Sequence, residues 1–75
     1  MNQTMDDLRA KVQRALMDDP RTKDYAIEVL NNFGVIIMRG MVPSHAARDT
    51  IEAVVREVNG VISANDEMNV IVNSL

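Results

Sequence analysis

The first helix is predicted from apolar residues that recur three to four positions apart. They are Met5, Leu8, Val12, Ala15 and Leu16, and this spacing places them on one helical face. Thr4 can cap the helix, with Asp7 three residues later in a variant of the capping box. Because Pro20 cannot continue the backbone ladder, we expect this helix to span residues 5–18.

A second apolar stripe predicts a helix in the later half of the chain. Its members are Ala47, Ile51, Val54, Val55 and Val58. Ser44 is a favourable N-cap, and the Asn59-Gly60 pair is a strong stop signal. Arg48, Glu52 and Arg56 follow each other at four-residue intervals, which predicts a ladder of ion pairs along the helix.

Three segments are predicted as strands. Residues 25–30 alternate in polarity, and residues 31–34 carry turn residues that tolerate a positive φ. Residues 35–42 follow, and so short a connection makes the two strands antiparallel. A last strand is expected over residues 61–72, with a bulge or irregularity at 65–67, where Asn, Asp and Glu are poor strand formers.

The strand at 35–42 is apolar on both faces. One face carries Val35, Ile37 and Met41, and the other carries Ile36, Met38 and Val42. Since a strand covered on one side alternates between apolar and polar residues, a second apolar face indicates a second contact. Gly40 interrupts this strand, where it is expected to make room for a close-packed group, most simply from a helix.

The predicted order of elements is α-β-β-α-β, an α+β fold. Both helical stripes are satisfied if the two helices pack on one face of a three-stranded mixed sheet. Met38 and Met68 would lie in the core, and the uncovered face would hold a predicted contact set of Leu30, Val35, Ile37, Met41 and Ile71. The pattern leaves open which hairpin strand the last strand adjoins. A ferredoxin-like fold would need a strand before Met5, where the sequence is short and polar.

Composition narrows the function classes. The 75 residues fit one small domain with a thin core. Because the chain has no cysteine, neither a disulfide nor a cysteine-bound zinc ion can stabilise it. A net charge of −3 and only two aromatic residues, Tyr25 and Phe33, argue against nucleic-acid binding. No apolar run approaches the ~20 residues that span a bilayer. The N-terminal residues do not resemble an export signal, which leaves the compartment open.

The histidine, the carboxylates and the glycines of the chain predict no catalytic, metal or cofactor site. His45 is the single histidine and is expected to be exposed in the first turn of the second helix. The adjacent carboxylates Asp6-Asp7, Asp18-Asp19 and Asp66-Glu67 point in different directions, so they do not converge as an acid–base pair. The three glycines lie too far apart for a phosphate-binding loop. We therefore expect a protein that acts by contact rather than by catalysis.

Three basic residues on the first helix are candidates for contact with anionic lipid head groups. They are Arg9, Lys11 and Arg14. Such residues attract the negative surface of a membrane. Since acidic residues lie nearby in the sequence, ordinary solvated surface charge is the alternative interpretation. Met41, with its adaptable side chain, is a candidate for the apolar contact surface.

Four segments together resemble the BON domain, named after bacterial osmotically inducible and nodulation proteins. They are Leu8-x-x-Lys11-Val12-x-x-Ala15-Leu16-x-x-Asp19-Pro20, Ile27-Glu28-Val29, Gly34-Val35-x-x-x-x-Gly40-x-Val42-Pro43-Ser44 and Val58-Asn59-Gly60-Val61. The resemblance covers residues 4–72, with short termini at 1–3 and 73–75. It implies an α-β-β-α-β fold without enzymatic activity, proposed to bind phospholipid or membrane surfaces in the bacterial envelope.

Two departures from the usual family pattern bear on function. Ile37 and Met41 stand where small polar residues are common, and Asp66 and Asn69 stand in a last strand that is normally more regular. The first departure makes the uncovered sheet face more apolar. It favours an alternative role in protein–protein contact, either self-association or docking on a larger envelope protein.

Overall fold

The computed structural model describes residues 5–71, and its elements follow the predicted order. They are α1 (Met5–Asp18), β1 (Glu28–Asn32), β2 (Val35–Val42), α2 (His45–Arg56) and β3 (Ser63–Val70). The α+β fold class and the bounds of α1 and β2 are confirmed. The predicted cap at Thr4, the side chain of Met5, the strand end at Val72 and the short termini lie outside what the structure describes.

The three strands form one mixed sheet in the order β1-β2-β3. β1 pairs with β2 antiparallel, and β2 pairs with β3 parallel. The last strand therefore adjoins the second hairpin strand, which answers the question that the sequence pattern left open. β2 is the central strand: β3 pairs with it from Val35 to Val42, and β1 pairs with it from Val35 to Arg39.

Both helices pack on the same face of this sheet. Alternate residues of β2 (Ile36, Met38 and Val42) point into a single core that also contains the helical stripes. The fully buried or nearly buried members are Val12, Leu16, Ile27, Val29, Ile36, Met38, Val42, Ala47, Ile51, Val54, Val55 and Met68. The core positions of Met38 and Met68 are confirmed. The two helices leave the opposite face of the sheet uncovered, and we call it the open sheet face.

α2 begins at its predicted N-cap but ends at Arg56, three residues before the predicted stop at Asn59-Gly60. The backbone N–H of Ala47 donates to Ser44 Oγ at 3.0 Å, which confirms the N-cap of α2. After α1, the Oγ1 of Thr22 donates to the carbonyl oxygen of Leu16 at 2.7 Å, and Thr22 is buried. This hydrogen bond satisfies a carbonyl that the end of a helix leaves unpaired, and the sequence pattern did not indicate it.

The hairpin differs from the prediction in where β1 and the turn lie. Strand pairing continues to Asn32 opposite Val35, so the turn contains only Phe33 and Gly34. Their φ angles are 53° and 93°, as in the two-residue turns whose twist matches paired strands. Asn31 stays in the strand, and its Oδ1 accepts a hydrogen bond from the Gly34 N–H at 2.8 Å.

The predicted irregularity in β3 is wrong. The register with β2 runs without interruption from Ser63 to Val70. The poor strand formers have partners here: Asp66 accepts hydrogen bonds from the Met68 N–H and lies 3.1 Å from the Nε of Arg48. These contacts outweigh the low intrinsic strand propensity. They also redirect Arg48, so only Arg56 and Glu52 form the expected ion pair within α2, at 3.8 Å.

Gly40 makes room for backbone rather than for a helix. A Cβ at this position would lie 2.9 Å from the carbonyl oxygen of Ala26 and 3.1 Å from the Cδ1 of Ile27. The segment that leads into β1 crosses closely over β2 here. The sequence-based expectation of close packing at Gly40 was right, but the neighbour that it assigned was wrong.

Candidate binding surfaces

The open sheet face carries the predicted apolar contact set. Leu30 lies opposite Ile37 across the hairpin, and Val35 lies two pairs nearer the turn. Met41 and Ile71 lie at the other end, 68% and 49% exposed, around a shallow depression beside Pro43. Leu30, Val35 and Ile37 are partly buried by their neighbours. The five residues share a face as the alternation predicted, and their role in binding remains a prediction.

A charged row divides this face into two apolar groups. Arg39 lies opposite Glu28 on one side and Glu67 on the other. Its Nε donates to Glu67 Oε1 at 2.8 Å. This hydrogen bond, reinforced by the charge of Glu28, raises the pKa of Arg39. The open sheet face is therefore less continuous than the list of apolar residues implied.

The outer helix surface is the solvent-facing half of α1, on which Arg14 lies at the centre, Arg9 to one side and Lys11 to the other. Two shallow depressions meet there around Ala10 and Arg14, and exposed Met17 lines one of them. Lys11 Nζ donates to the carbonyl oxygen of Asn59 at 3.0 Å. The structure thus places the three predicted head-group residues on one helix, with Arg14 between the two depressions.

The arginines of α1 differ from the other arginines in their ion pairing. Arg21, Arg39, Arg48 and Arg56 each lie within 4.0 Å of a carboxylate. Within the described side chains, residues 7–71, no carboxylate lies that close to Arg9 or Arg14. Within that part of the chain, Arg9 and Arg14 thus differ from the four arginines that are ion-paired.

The paired arginines act within the fold. Arg21 donates to both carboxylate oxygens of Asp19, at 3.0 and 2.8 Å. Hydrogen bonds from its side chain and its backbone N–H lower the pKa of Asp19 from 3.8 to about 2. This pair holds the turn that follows α1, which is a structural role rather than a binding role.

The outer helix surface and the open sheet face lie on opposite sides of a two-layer domain. The helices cover one sheet face, and Arg14 projects from the side of α1 that faces away from the core. One flat surface cannot contact both sets at once. The sequence could not show this separation, because it depends on which sheet face α1 covers.

A third exposed feature, the hairpin tip, was missed by the sequence analysis. It consists of Phe33, Gly34 and the adjoining Ile62, and the two large side chains are 76% and 75% exposed. The available signal was an aromatic residue directly before the turn glycine. Asn, Asp or Gly is the usual residue at that position.

Chemistry-bearing residues do not cluster in the part of the chain that the structure describes. Across that part, no group of three His, Cys, Asp or Glu side chains is arranged to hold a metal ion. His45 is exposed at the start of α2, as predicted. No helix among residues 5–71 is long and apolar enough to cross a bilayer.

The fold and its surfaces define a small α+β domain that presents a helix face, an open sheet face and a hairpin tip to solvent. Residues 4–72 match the family model for the BON domain. The chain belongs to this family of non-catalytic binding domains, so the resemblance found in the sequence is confirmed. No curated protein matches the chain.

Proposed function

We propose that this BON domain binds anionic phospholipid surfaces through the outer helix surface. The observation that carries the proposal is the exposure of Arg9 and Arg14 along one shallow depression, with no carboxylate within 4.0 Å of either among the described side chains, whereas the other four arginines are ion-paired. Head-group phosphates are anionic acceptors that match such guanidinium groups. Met17, exposed beside them, adds an apolar contact.

The expected affinity is modest and sensitive to salt. Each basic residue near an anionic membrane contributes about 1 kcal/mol, so Arg9, Lys11 and Arg14 together contribute about 3 kcal/mol. Asp7 and Asp18 line the same depressions and offset part of this attraction. Binding should weaken as ionic strength rises, because the charges are exposed and therefore screened.

Vesicle co-sedimentation tests the proposal. Phosphatidylcholine vesicles with and without phosphatidylglycerol would be compared for the natural chain and for the double variant Arg9→Gln/Arg14→Gln. Lys23→Gln/Arg39→Gln is the matched control, because it removes two exposed positive charges away from the outer helix surface.

The proposal requires binding to the anionic vesicles that the helix variant loses and the control retains. Equal losses of vesicle binding in both variants would show that net charge, rather than the outer helix surface, causes the binding. Failure of the natural chain to sediment with either vesicle would reject membrane binding.

A second candidate function is protein contact through the open sheet face, by self-association or by docking on a larger envelope protein. It is favoured by the exposure of Met41 and Ile71 around one depression. It ranks second because a partner that covers the whole face must also desolvate the ion pair between Arg39 and Glu67.

Sedimentation velocity distinguishes this candidate. Self-association predicts a concentration-dependent dimer for the natural chain and a monomer for Ile37→Lys, whose side chain lies at the centre of the face. Monomers of equal stability in both proteins would remove the self-association hypothesis. Docking on another protein would then depend on finding that partner.

A further inference from the structure

We propose that the hairpin tip inserts into the interfacial region of a phospholipid bilayer, with Phe33 and Ile62 as the inserted side chains. This inference rests on the proposed membrane function and adds a second, apolar contact to it. Four features of the tip support insertion: its hydrogen-bonded arrangement, the unusual residue in the turn, the nearby positive charge and the small exposed area.

The hairpin tip is held in one arrangement. The Gly34 carbonyl oxygen accepts hydrogen bonds from the N–H groups of Ile62 at 2.8 Å and Ser63 at 3.4 Å. The Ile62 side chain fills the space beside Gly34, since its Cδ1 lies 2.5 Å from where a Cβ on Gly34 would be. The turn and the residue that precedes β3 therefore lie side by side, and each carries an exposed apolar side chain.

Phe33 is an unfavourable residue for its own backbone. Its φ of 53° lies in the left-handed region, which costs a bulky side chain more than it costs Asn or Gly. Burial does not offset this cost, because the ring is mostly exposed. Folding alone gives no reason for an aromatic residue here, whereas contact with an external apolar phase does.

One cation lies beside Ile62 of the hairpin tip, and a second contacts the segment that leads to it. Arg56 lines a shallow depression together with Ile62, and Lys11 Nζ reaches the Asn59 carbonyl oxygen three residues before Ile62. The carboxylates of Glu52 and Glu57 are also close along α2, each within 4.0 Å of an arginine. Lys11 belongs to the outer helix surface as well. Lys11 therefore connects the outer helix surface to the segment that leads to the tip, whereas the charge of Arg56 is shared with Glu52.

The area of the tip favours a bilayer over a protein partner. One aromatic and one aliphatic side chain expose on the order of 300 Å², whereas a stable protein interface buries about 800 Å² on each partner. A fluid interface imposes no such requirement, because a few amphipathic or apolar side chains can enter it individually. Aromatic rings are also enriched at membrane–water interfaces.

Tryptophan fluorescence tests insertion directly, because the natural chain contains no tryptophan. Phe33→Trp would place one indole at the hairpin tip, and Met41→Trp would place one at a similarly exposed position on the open sheet face. On addition of phosphatidylglycerol vesicles, the proposal expects a blue shift and quenching by brominated lipid for the first variant only. A vesicle-bound Phe33→Trp protein whose emission does not shift would overturn it.

Phe33→Asn supplies a binding test that unfolding does not confound, since Asn suits the turn. We expect about tenfold weaker vesicle binding, equivalent to about 1.4 kcal/mol. Unchanged binding by this variant, with binding lost in Arg9→Gln/Arg14→Gln, would reject insertion and keep the proposed function. No vesicle binding by the natural chain would reject both. Capture of Phe33 by a protein partner, with no shift on vesicles, would also contradict the inference.

Discussion

Replacement of Gly40 by alanine tests a close backbone approach between β2 and the segment before β1. The added Cβ would lie 2.9 Å from the Ala26 carbonyl oxygen and 3.1 Å from the Ile27 Cδ1. Neither neighbour can move freely. Ile27 is buried in the core, and the Ile27 carbonyl oxygen accepts a hydrogen bond from Gln13 Nε2 at 3.1 Å. We therefore expect the crossing between β2 and the start of β1 to be forced apart.

The expected cost follows from two opposing effects. Overpacking of a well-packed site destabilises by about 1–3 kcal/mol. Removing a glycine restricts the unfolded chain, which stabilises by about 0.4–1 kcal/mol where the backbone suits alanine, but the φ of 156° at Gly40 is rarely adopted by residues with a side chain, so backbone strain offsets part of this gain. The net loss should be about 1–2 kcal/mol. For a domain of this size each kcal/mol shifts Tm by about 4–8 °C, so Gly40→Ala should melt about 4–16 °C lower.

Urea and thermal unfolding followed by circular dichroism would measure this loss. A double variant identifies the obstacle: Ile27→Val removes the Cδ1 contact and leaves the Ala26 carbonyl oxygen in place. The cost of Gly40→Ala should persist in that background, because the carbonyl is the nearer atom. A Gly40→Ala protein as stable as the natural chain would refute the argument from close approach.

Three further predictions concern stability. Ile51→Ala should lower the free energy of unfolding by about 2–5 kcal/mol, because Ile51 is fully buried; a loss below 1 kcal/mol in urea unfolding would contradict the described core. The stability advantage of the natural chain over Asp19→Asn should be present above pH 4 and shrink as pH falls toward 2, since the folded pKa of Asp19 is lowered to about 2; thermal melts with a constant difference over that range would disprove the coupling to Arg21. Phe33→Asn should raise Tm by relieving the left-handed strain, and a lower Tm would show that the ring stabilises the hairpin.

The separation of surfaces has a consequence for how the domain can act. If the outer helix surface and the hairpin tip contact a membrane, the open sheet face stays accessible on the far side of the domain. Met41 and Ile71 would then remain exposed to a protein partner. Membrane contact and protein contact are therefore sterically compatible, and the vesicle and sedimentation experiments report on them independently.

The candidate surfaces were only partly predictable from the sequence. Alternation placed Leu30, Ile37 and Met41 on one sheet face, because side chains in a strand alternate with a period of two. The same rule puts Arg39 on that face. Which residues Arg39 pairs with depends on the strand register, and the register places it opposite Glu67. The hairpin tip was missed because the turn was placed over four residues instead of two.

Local pattern determined the two helices, the strand at 35–42 and the α-β-β-α-β order, because side-chain periodicity and capping act within a few neighbouring residues. Tertiary structure decided which strands pair, which atoms approach Gly40 and which arginines find carboxylates. Those outcomes join residues far apart in the chain, as Arg39 is joined to Glu67. The placement of Arg14 and Met41 on opposite sides of the domain likewise follows from the sheet face on which α1 packs.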